Sequence, residues 1–358
     1  MIDLFSEANA TRAPRQAEHE DDMTLHAITH FRALAIVFVV ASHTILLAHY
    51  DTPALAQGTV INLLTGATVF FVLISGILFQ HVFVPRYTFR RFMRSKLRNV
   101  ALPYLVLALP LTVFVVLHET SGEIGARFFY GAHLLISGNT VIAYWYVPAI
   151  LVMFLMSPLH MAYQRLSLEH QLSLLAVLYL LSNIVQRSVE DILIPQSVIY
   201  FTPVYLTGMT YVQHREAVLP WLKRLTFPLF VSAILLAMAA AETGHYGNYH
   251  TDFSLRWSEI DLMMPQKLAL SFAFLGLLER YGDRPIAWSQ NLADASFGVF
   301  FLHAPMIYLL LEAGYQPLFA APLANIAVMT GVLFALCLSS IALLRRVFPN
   351  HSRQLVGA

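Results

Sequence analysis

An arginine and a histidine lie eleven residues apart in the first long apolar segment of the chain. The segment reads Phe-Arg-Ala-Leu-Ala-Ile-Val-Phe-Val-Val-Ala-Ser-His and ends at His43. Eleven residues make about three helical turns, so Arg32 and His43 should share one helix face, about 16 Å apart along the axis. Ionisable side chains inside a bilayer are costly, so the pair indicates a polar cavity or chemistry. Snorkelling of Arg32 and an interfacial position for His43 are simpler alternatives for each residue alone.

Composition indicates an integral membrane protein. Of the 358 residues, 58% are hydrophobic and 12% are charged, whereas a soluble domain carries about a quarter charged residues. The net charge of +1 gives no indication of nucleic-acid binding. A single cysteine, Cys337, excludes a disulfide within the chain. The expected fold class is therefore all-α, a polytopic helical bundle that spans a lipid bilayer.

Apolar runs of about twenty residues predict ten membrane helices. We expect them near 28–49, 60–83, 98–118, 145–163, 171–187, 198–213, 225–242, 261–280, 295–313 and 321–345. They form a membrane domain over 27–346, between a polar cytoplasmic tail over 1–26 and a short cytoplasmic tail over 347–358. The first tail lacks the apolar run and cleavage site of a signal peptide, so the first span should direct insertion.

Positive charge predicts how the bundle is oriented. Lysines and arginines outside the spans gather on one side of the alternation, and only Arg127, Arg187 and Arg256 fall on the other. Positively charged loops stay in the cytoplasm, so both termini should be cytoplasmic. The longest outer loops, over 119–144 and 243–260, are rich in polar and aromatic residues. These residues fit either an interfacial aromatic belt or a cover over an outward-facing pocket.

A basic run from Arg86 to Arg98 precedes the third span. Most of it serves as the orientation signal. Arg94 and Arg98, however, are four residues apart where the helix enters the membrane. Together with Lys96 they could hold the phosphates of a cytoplasmic cofactor.

Other polar residues interrupt later spans. Ser75-Gly76 would let a second helix approach closely, Trp145 opens the fourth span as an interfacial aromatic would, and His303 lies inside the ninth span. Lys267 lies inside the eighth span and needs a partner. The candidate acidic partners on the outer side are Glu242, Glu259 and Asp261.

Several other chemistries lack their sequence motifs. The chain contains no His-Glu-x-x-His, no paired-cysteine spacing and no Gly-x-x-x-x-Gly-Lys, so neither metal binding nor nucleotide hydrolysis is expected. A transporter or exporter of a small polar solute remains the alternative. Its mark would be a two-fold sequence repeat or broken helices in matching halves of the chain, and the sequence shows neither. A lipid-linked glycosyltransferase would need clustered acidic residues, and Asp51, Asp191 and Asp261 are scattered.

Taken in order, the motifs resemble those of the membrane acyltransferases of family 3. The matching motifs are Arg-x10-His in the first span, Phe-Phe-x-x-x-Ser-Gly in the second, a basic stretch leading to Pro-Tyr at the third, Trp-Tyr opening the fourth, Tyr205-Leu206-Thr207-Gly208 in the sixth and Ser-Phe-Gly-x-Phe-Phe-Leu-His in the ninth. They extend across about 25–345. The sequence departs from the family pattern at His30-Phe31-Arg32, where Gly-Leu-Arg is usual, and its basic stretch is thinner in arginine.

The resemblance implies a ten-helix enzyme of the inner cell membrane. Such an O-acyltransferase moves an acyl group, often acetyl, from acyl-coenzyme A to a hydroxyl of a cell-surface or exported carbohydrate. Acyl-coenzyme A would be a co-substrate, with no tightly bound cofactor. The catalytic pair of the family matches Arg32 and His43. No pattern in the sequence sets an oligomeric state.

The expected mechanism divides donor and acceptor between the two ends of the first helix. Arg94, Lys96 and Arg98 would attract coenzyme A, and Arg32 would hold a phosphate or amide of it. Neutral His43 would take the proton of the acceptor hydroxyl. Direct transfer and a covalent acyl-histidine both fit, as do outer and cytoplasmic acceptor sites.

Four further residues are candidates for contact with substrate or for stabilising an oxyanion. They are Lys267, His303, Trp145 and Ser75.

Overall fold

The computed structural model describes residues 26–48, 54–121, 123–187, 193–249, 260–281, 284, 286–349 and 355. The model is 83% helical and these residues form no strand, which confirms the all-α prediction. The two predicted terminal tails lie almost wholly outside the described residues.

Helices follow one another through the described chain, with short connections. In order they are α1 His26–Leu47, α2 Leu55–Leu64, α3 Thr68–Leu78, α4 Phe89–Lys96, α5 Leu102–Glu119, α6 Ile124–Ser137, α7 Tyr146–Leu155, α8 Ser157–Tyr163, α9 Leu168–Val185, α10 Ile194–Gln213, α11 Arg215–Glu242, α12 Met263–Tyr281, α13 Ala287–Glu312 and α14 Pro322–Val347. Two π-helical stretches, Phe79–Phe83 and Leu97–Ala101, extend α3 and join α4 to α5.

Seven continuous helical segments in the described residues are long and apolar enough to cross a membrane. The pair α7–α8, bent by 57°, would make an eighth if it forms one span. Of the ten predicted spans, the sixth and eighth correspond to α10 and α12, which fall outside this set. Both helices carry buried polar side chains, including Gln196 in α10 and Gln266 in α12. A helix enclosed by other helices does not need the apolar surface that lipid demands. The count of ten and the cytoplasmic termini stay predictions.

The predicted outer loop over 119–144 is not a loop throughout. It contains α6, which packs on α5 and leaves Phe128 and Phe129 exposed. At 14 residues, this helix is too short to cross a bilayer, so a search for apolar runs of spanning length passes over it. Gly138 ends the helix with a φ of +74°. A Cβ at Gly138 would overlap the backbone of Trp145, so glycine lets α6 turn tightly onto the start of α7.

Two family motifs meet where α3 crosses α10. A Cβ on Gly76 would overlap the carbonyl of Tyr205, and a Cβ on Gly208 would overlap the carbonyl of Leu73. The two glycines therefore let the backbones touch, as small residues do between membrane helices. The close approach predicted at Ser75-Gly76 is confirmed.

Candidate functional site

Hydrogen bonds join the first helix, α1, to α13 and the residues just before it. At its start, His30 Nε2 donates to the Arg284 carbonyl at 3.1 Å, and Ser289 Oγ lies 2.6 Å from His30 Nδ1. Two residues further on, Arg32 Nη2 donates to the Ala293 carbonyl at 2.9 Å and to Ser296 Oγ at 3.3 Å. The histidine of the unusual His-Phe-Arg sequence thus ties α1 to the beginning of α13.

His43 faces the same helix at the other end of α1. Its ring centroid is 5.2 Å from that of His303. Arg32 contacts α13 at Ala293 and Ser296, and His43 contacts it about two to three turns later, so the two helices run in parallel. Both residues therefore lie on the one face of α1 that packs against α13. This is the shared face that the eleven-residue spacing predicts.

His43 lines a cavity with a volume of about 730 Å³. The cavity walls come from the end of α1, the break between α2 and α3, α6, the turn before α7, and the segment after α11. Lining residues from the two predicted outer loops include His133, Asn139, Tyr246 and Asn248. Of the two interpretations of those loops, this lining favours a pocket cover. Arg32 is not among the lining residues, so the cavity reaches only the His43 end of the pair.

His303 is completely buried beside His43. Its Nδ1 lies 3.0 Å from the Val299 carbonyl. A carbonyl only accepts hydrogen bonds, so Nδ1 carries the proton and Nε2 of the neutral ring is an acceptor. That Nε2 has no partner among the described residues.

Lys267 is also fully buried, but its partners are backbone carbonyls. Its Nζ donates to the carbonyls of Asn62 at 3.0 Å and Leu63 at 2.6 Å. These are the last carbonyls of α2, which have no partner within their own helix. The expectation of an acidic partner is therefore wrong for the described candidates. Asp261 instead accepts from the Tyr200 hydroxyl and caps α12, Glu242 is exposed, and Glu259 lies outside the described residues.

The helix break that Lys267 holds forms one wall of the cavity. Thr65, Gly66 and Ala67 connect α2 to α3, and they line the cavity together with Thr68, the first residue of α3. Gly66 has a φ of +76°, which a side chain rarely adopts. Lys267 thus contacts the wall from behind and does not itself reach the cavity.

Trp145 and Tyr146 line the cavity from the start of α7. The Tyr146 phenol lies beside the Ser75 hydroxyl of α3. Ser75 therefore contacts a residue that lines the cavity.

Arg187 enters the same cavity just after α9. Its guanidinium carbon lies 4.4 Å from the Trp145 ring centroid, a distance typical of a cation–π contact. From the sequence, Arg187 is expected only to be an outer charge. Arg187 is one of three arginines on the less basic side of the bundle, but nothing in the sequence places it beside His43.

The three residues predicted to bind the donor, Arg94, Lys96 and Arg98, differ in their exposure. Arg94 and Arg98 are exposed. Lys96 turns inward, and its Nζ lies 4.5 Å from the ring centroids of both Phe83 and Phe154. The structure thus keeps Arg94 and Arg98 accessible but encloses Lys96 among aromatic rings.

A second, smaller cavity of about 270 Å³ lies next to this basic segment. Its lining includes Arg86, Tyr87, Arg91 and Ser95. The larger cavity meets α3 as far along as Phe71 and the smaller one meets its π-helical extension at Val82, so about 16 Å of helix separates them. The two cavities therefore lie near opposite ends of the bundle.

The sequence matches a known protein family over nearly its whole length. The family model described as an acyltransferase domain, that of the acyltransferase 3 family, matches residues 25–345. No curated protein and no solved structure shows significant similarity to the chain. Since the match covers nearly the whole chain, the protein belongs to the acyltransferase 3 family and is a multi-pass membrane acyltransferase.

Proposed function

We propose that the protein transfers an acyl group, acetyl in the simplest case, from acyl-coenzyme A to a hydroxyl of a cell-surface or exported carbohydrate. The observation that carries this proposal is the position of His43. It borders a cavity of about 730 Å³ at the end of the bundle predicted to face outward. Sites of about 300–1,000 Å³ hold ligands of drug size, so one or two sugar units would fit.

His43 acts as the general base in this proposal. Its neutral ring accepts the proton of an acceptor hydroxyl while the hydroxyl oxygen attacks the thioester carbonyl. The tetrahedral intermediate then collapses, the carbon–sulfur bond breaks, and the coenzyme A thiolate takes the proton from His43. The products are a carbohydrate ester and free coenzyme A.

In this scheme His303 orients His43 by accepting a hydrogen bond from it. It does not stabilise the oxyanion. In the tautomer set by the Val299 carbonyl, its Nε2 can accept a hydrogen bond but cannot donate one. A small rotation of the two neighbouring rings lets His43 donate to that nitrogen. His43 would then present its other nitrogen, the basic one, to the acceptor hydroxyl.

Arg32 and the basic residues serve the donor. Arg94 and Arg98 are exposed near the smaller cavity, to which Arg86 and Arg91 also contribute. This concentration of positive charge attracts the phosphates of coenzyme A. Arg32 lies between that end and His43, with one guanidinium nitrogen bound to α13. It would hold the arm of the donor as the thioester approaches His43.

The transporter alternative receives less support. It requires broken helices at corresponding places in the two halves of the chain. The break between α2 and α3 and the 57° bend between α7 and α8 both fall in the first half of the described residues. The second half has long helices, α11, α13 and α14, without such breaks.

The test uses the full-length protein in lipid nanodiscs, radiolabelled acetyl-coenzyme A and surface glycans from a strain that lacks the gene. We expect transfer of label to the glycan, lowered about 10²–10⁴-fold by His43→Ala and strongly lowered by Arg32→Ala. His118→Ala changes an exposed histidine at the end of α5 and serves as the control. Wild-type rates in both variants, at equal amounts of folded protein, would end the proposal.

A further inference from the structure

A guanidinium in the His43 cavity lies against a pair of aromatic rings. The carbon of the Arg187 guanidinium is 4.4 Å from the Trp145 ring centroid and 5.8 Å from that of Phe201. The two rings are themselves stacked, with centroids 5.8 Å apart and planes inclined by 22°. A guanidinium that contacts a ring through its flat face keeps its N–H groups, which lie in its plane, for a ligand.

No carboxylate of the described chain forms an ion pair with Arg187. Within that part of the structure the ion pair is Arg215–Glu279, at the other end of the bundle. No hydrogen bond joins the Arg187 side chain to a described residue. Asp261 acts on Arg187 only through space, because its oxygens are taken by the Tyr200 hydroxyl and two backbone N–H groups of α12.

The described lining of the cavity is positively charged. Among its described lining residues, Arg187 is the one side chain with a fixed charge, and there is no aspartate or glutamate. A cation in such a cavity favours an anionic ligand, because attraction between charges strengthens when a bound ligand excludes water. Arg187 is also close enough to His43 for the two to interact electrostatically.

We propose that Arg187 binds an oxyanion carried by the acceptor, a sugar carboxylate or a sugar phosphate, and so positions a nearby hydroxyl at His43. The planar fork of arginine matches both groups through paired N–H···O bonds. Trp145 supports the fork from one face and presents an apolar surface to the sugar. The acceptor class is thus an acidic carbohydrate. This inference rests on the proposed function and narrows its substrate.

The test compares anionic and neutral acceptors of equal size. Trigalacturonic acid is paired with its trimethyl ester, and maltotriose phosphate with maltotriose, so that each pair differs in charge. Full-length protein in nanodiscs is assayed for binding of each sugar without acetyl-coenzyme A, and for transfer of labelled acetyl with it. The variants are Arg187→Gln, Arg187→Lys and His43→Ala. Arg127→Gln, which changes an arginine of α6 outside the cavity lining, is the control.

Wild-type protein should prefer one anionic sugar over its neutral partner, and the pair that shows the preference identifies carboxylate or phosphate. Arg187→Gln should lower that preference about 10- to 100-fold, the value of hydrogen bonds to a charged group. Arg187→Lys keeps the charge without the fork and should fall between. His43→Ala should abolish transfer but retain binding, and Arg127→Gln should keep the wild-type preference.

Three outcomes would overturn the inference. The first is equal binding of anionic and neutral sugars by the wild type. The second is Arg187→Gln lowering binding and turnover of all acceptors alike, which would assign Arg187 to the reaction intermediate or to the fold. The third is acetyl transfer to neutral sugars together with anion binding that does not depend on Arg187. That result would overturn the inference but leave the proposed function intact. Arg187-dependent binding of an anionic sugar with no acetyl transfer would instead overturn the proposed function and support the binding site.

Discussion

Replacing Lys267 by methionine tests whether this buried lysine is structural or catalytic. Methionine is similar in length and shape but cannot donate a hydrogen bond. In Lys267→Met the carbonyls of Asn62 and Leu63 lose their donors, at 3.0 Å and 2.6 Å. We therefore expect the end of α2 to loosen and the cavity wall from Thr65 to Thr68 to lose its fixed position.

The magnitude follows from two opposing contributions. Leaving two buried carbonyls unsatisfied costs about 1–3 kcal/mol each. Removing an enclosed ammonium offsets part of this, because burying such a charge itself costs several kcal/mol. We expect the free energy of unfolding to fall by about 2 kcal/mol, which for a chain of 358 residues corresponds to a melting temperature lower by about 3 °C.

The assay is thermal unfolding of purified protein followed by intrinsic fluorescence, together with acetyl-transfer kinetics on the same samples. Lys223→Met, which changes a partly exposed lysine of α11, should leave the melting temperature unchanged. In Lys267→Met the displaced wall should raise KM for the acceptor more than it lowers kcat. A variant that melts with the wild type but loses kcat by orders of magnitude would refute a structural role, and would favour an oxyanion role for Lys267 instead.

Three further predictions concern other parts of the bundle. Gly76→Ala should lower the melting temperature markedly, because its Cβ overlaps the Tyr205 carbonyl where α3 crosses α10. Arg94→Gln should raise KM for acetyl-coenzyme A about 3- to 10-fold in kinetics at low salt, with the difference shrinking as ionic strength screens the exposed charge. Glu279→Gln should destabilise the protein by about 3 kcal/mol in thermal unfolding, because it breaks the buried pair with Arg215 at 2.6 Å.

Each of these predictions has a control and a result that contradicts it. Gly331→Ala makes the same change in α14 where no atom lies within 4 Å, so it should not destabilise; equal melting of the two alanine variants would contradict the close crossing. The control for Arg94→Gln is Arg224→Gln. A KM for acetyl-coenzyme A that does not change with salt in either variant would exclude electrostatic attraction of the donor. Unchanged melting of Glu279→Gln would show that the ion pair contributes little.

Sequence alone predicts the parts of this protein that depend on local pattern. The apolar run and the eleven-residue spacing predicted the first helix and the shared face of Arg32 and His43, because both follow from the helical repeat. Ser75-Gly76 predicted a close crossing for the same local reason. The length of an apolar run, however, does not detect α6, which is amphipathic and short, or distinguish α10 from a lipid-facing span.

The rest of the site depends on contacts between residues far apart in the chain. The partner of Lys267 could not be foreseen, because the break after Leu64 has no proline to mark it. Arg187 meets Trp145 across more than forty residues of sequence, and its role is visible only once both line one cavity. The proposed acceptor class rests on such contacts, whereas the proposed role of His43 was predicted from one helix.

The way the cavity is walled has a consequence for biogenesis. Val39 of α1 and Phe300 of α13 both border it, and the other walls come from helices between them. During synthesis the helix that carries His43 is therefore inserted first. The cavity is complete only when α13 has been inserted. Unfinished copies of the enzyme should consequently be unable to waste acyl donors by hydrolysis while synthesis is still in progress.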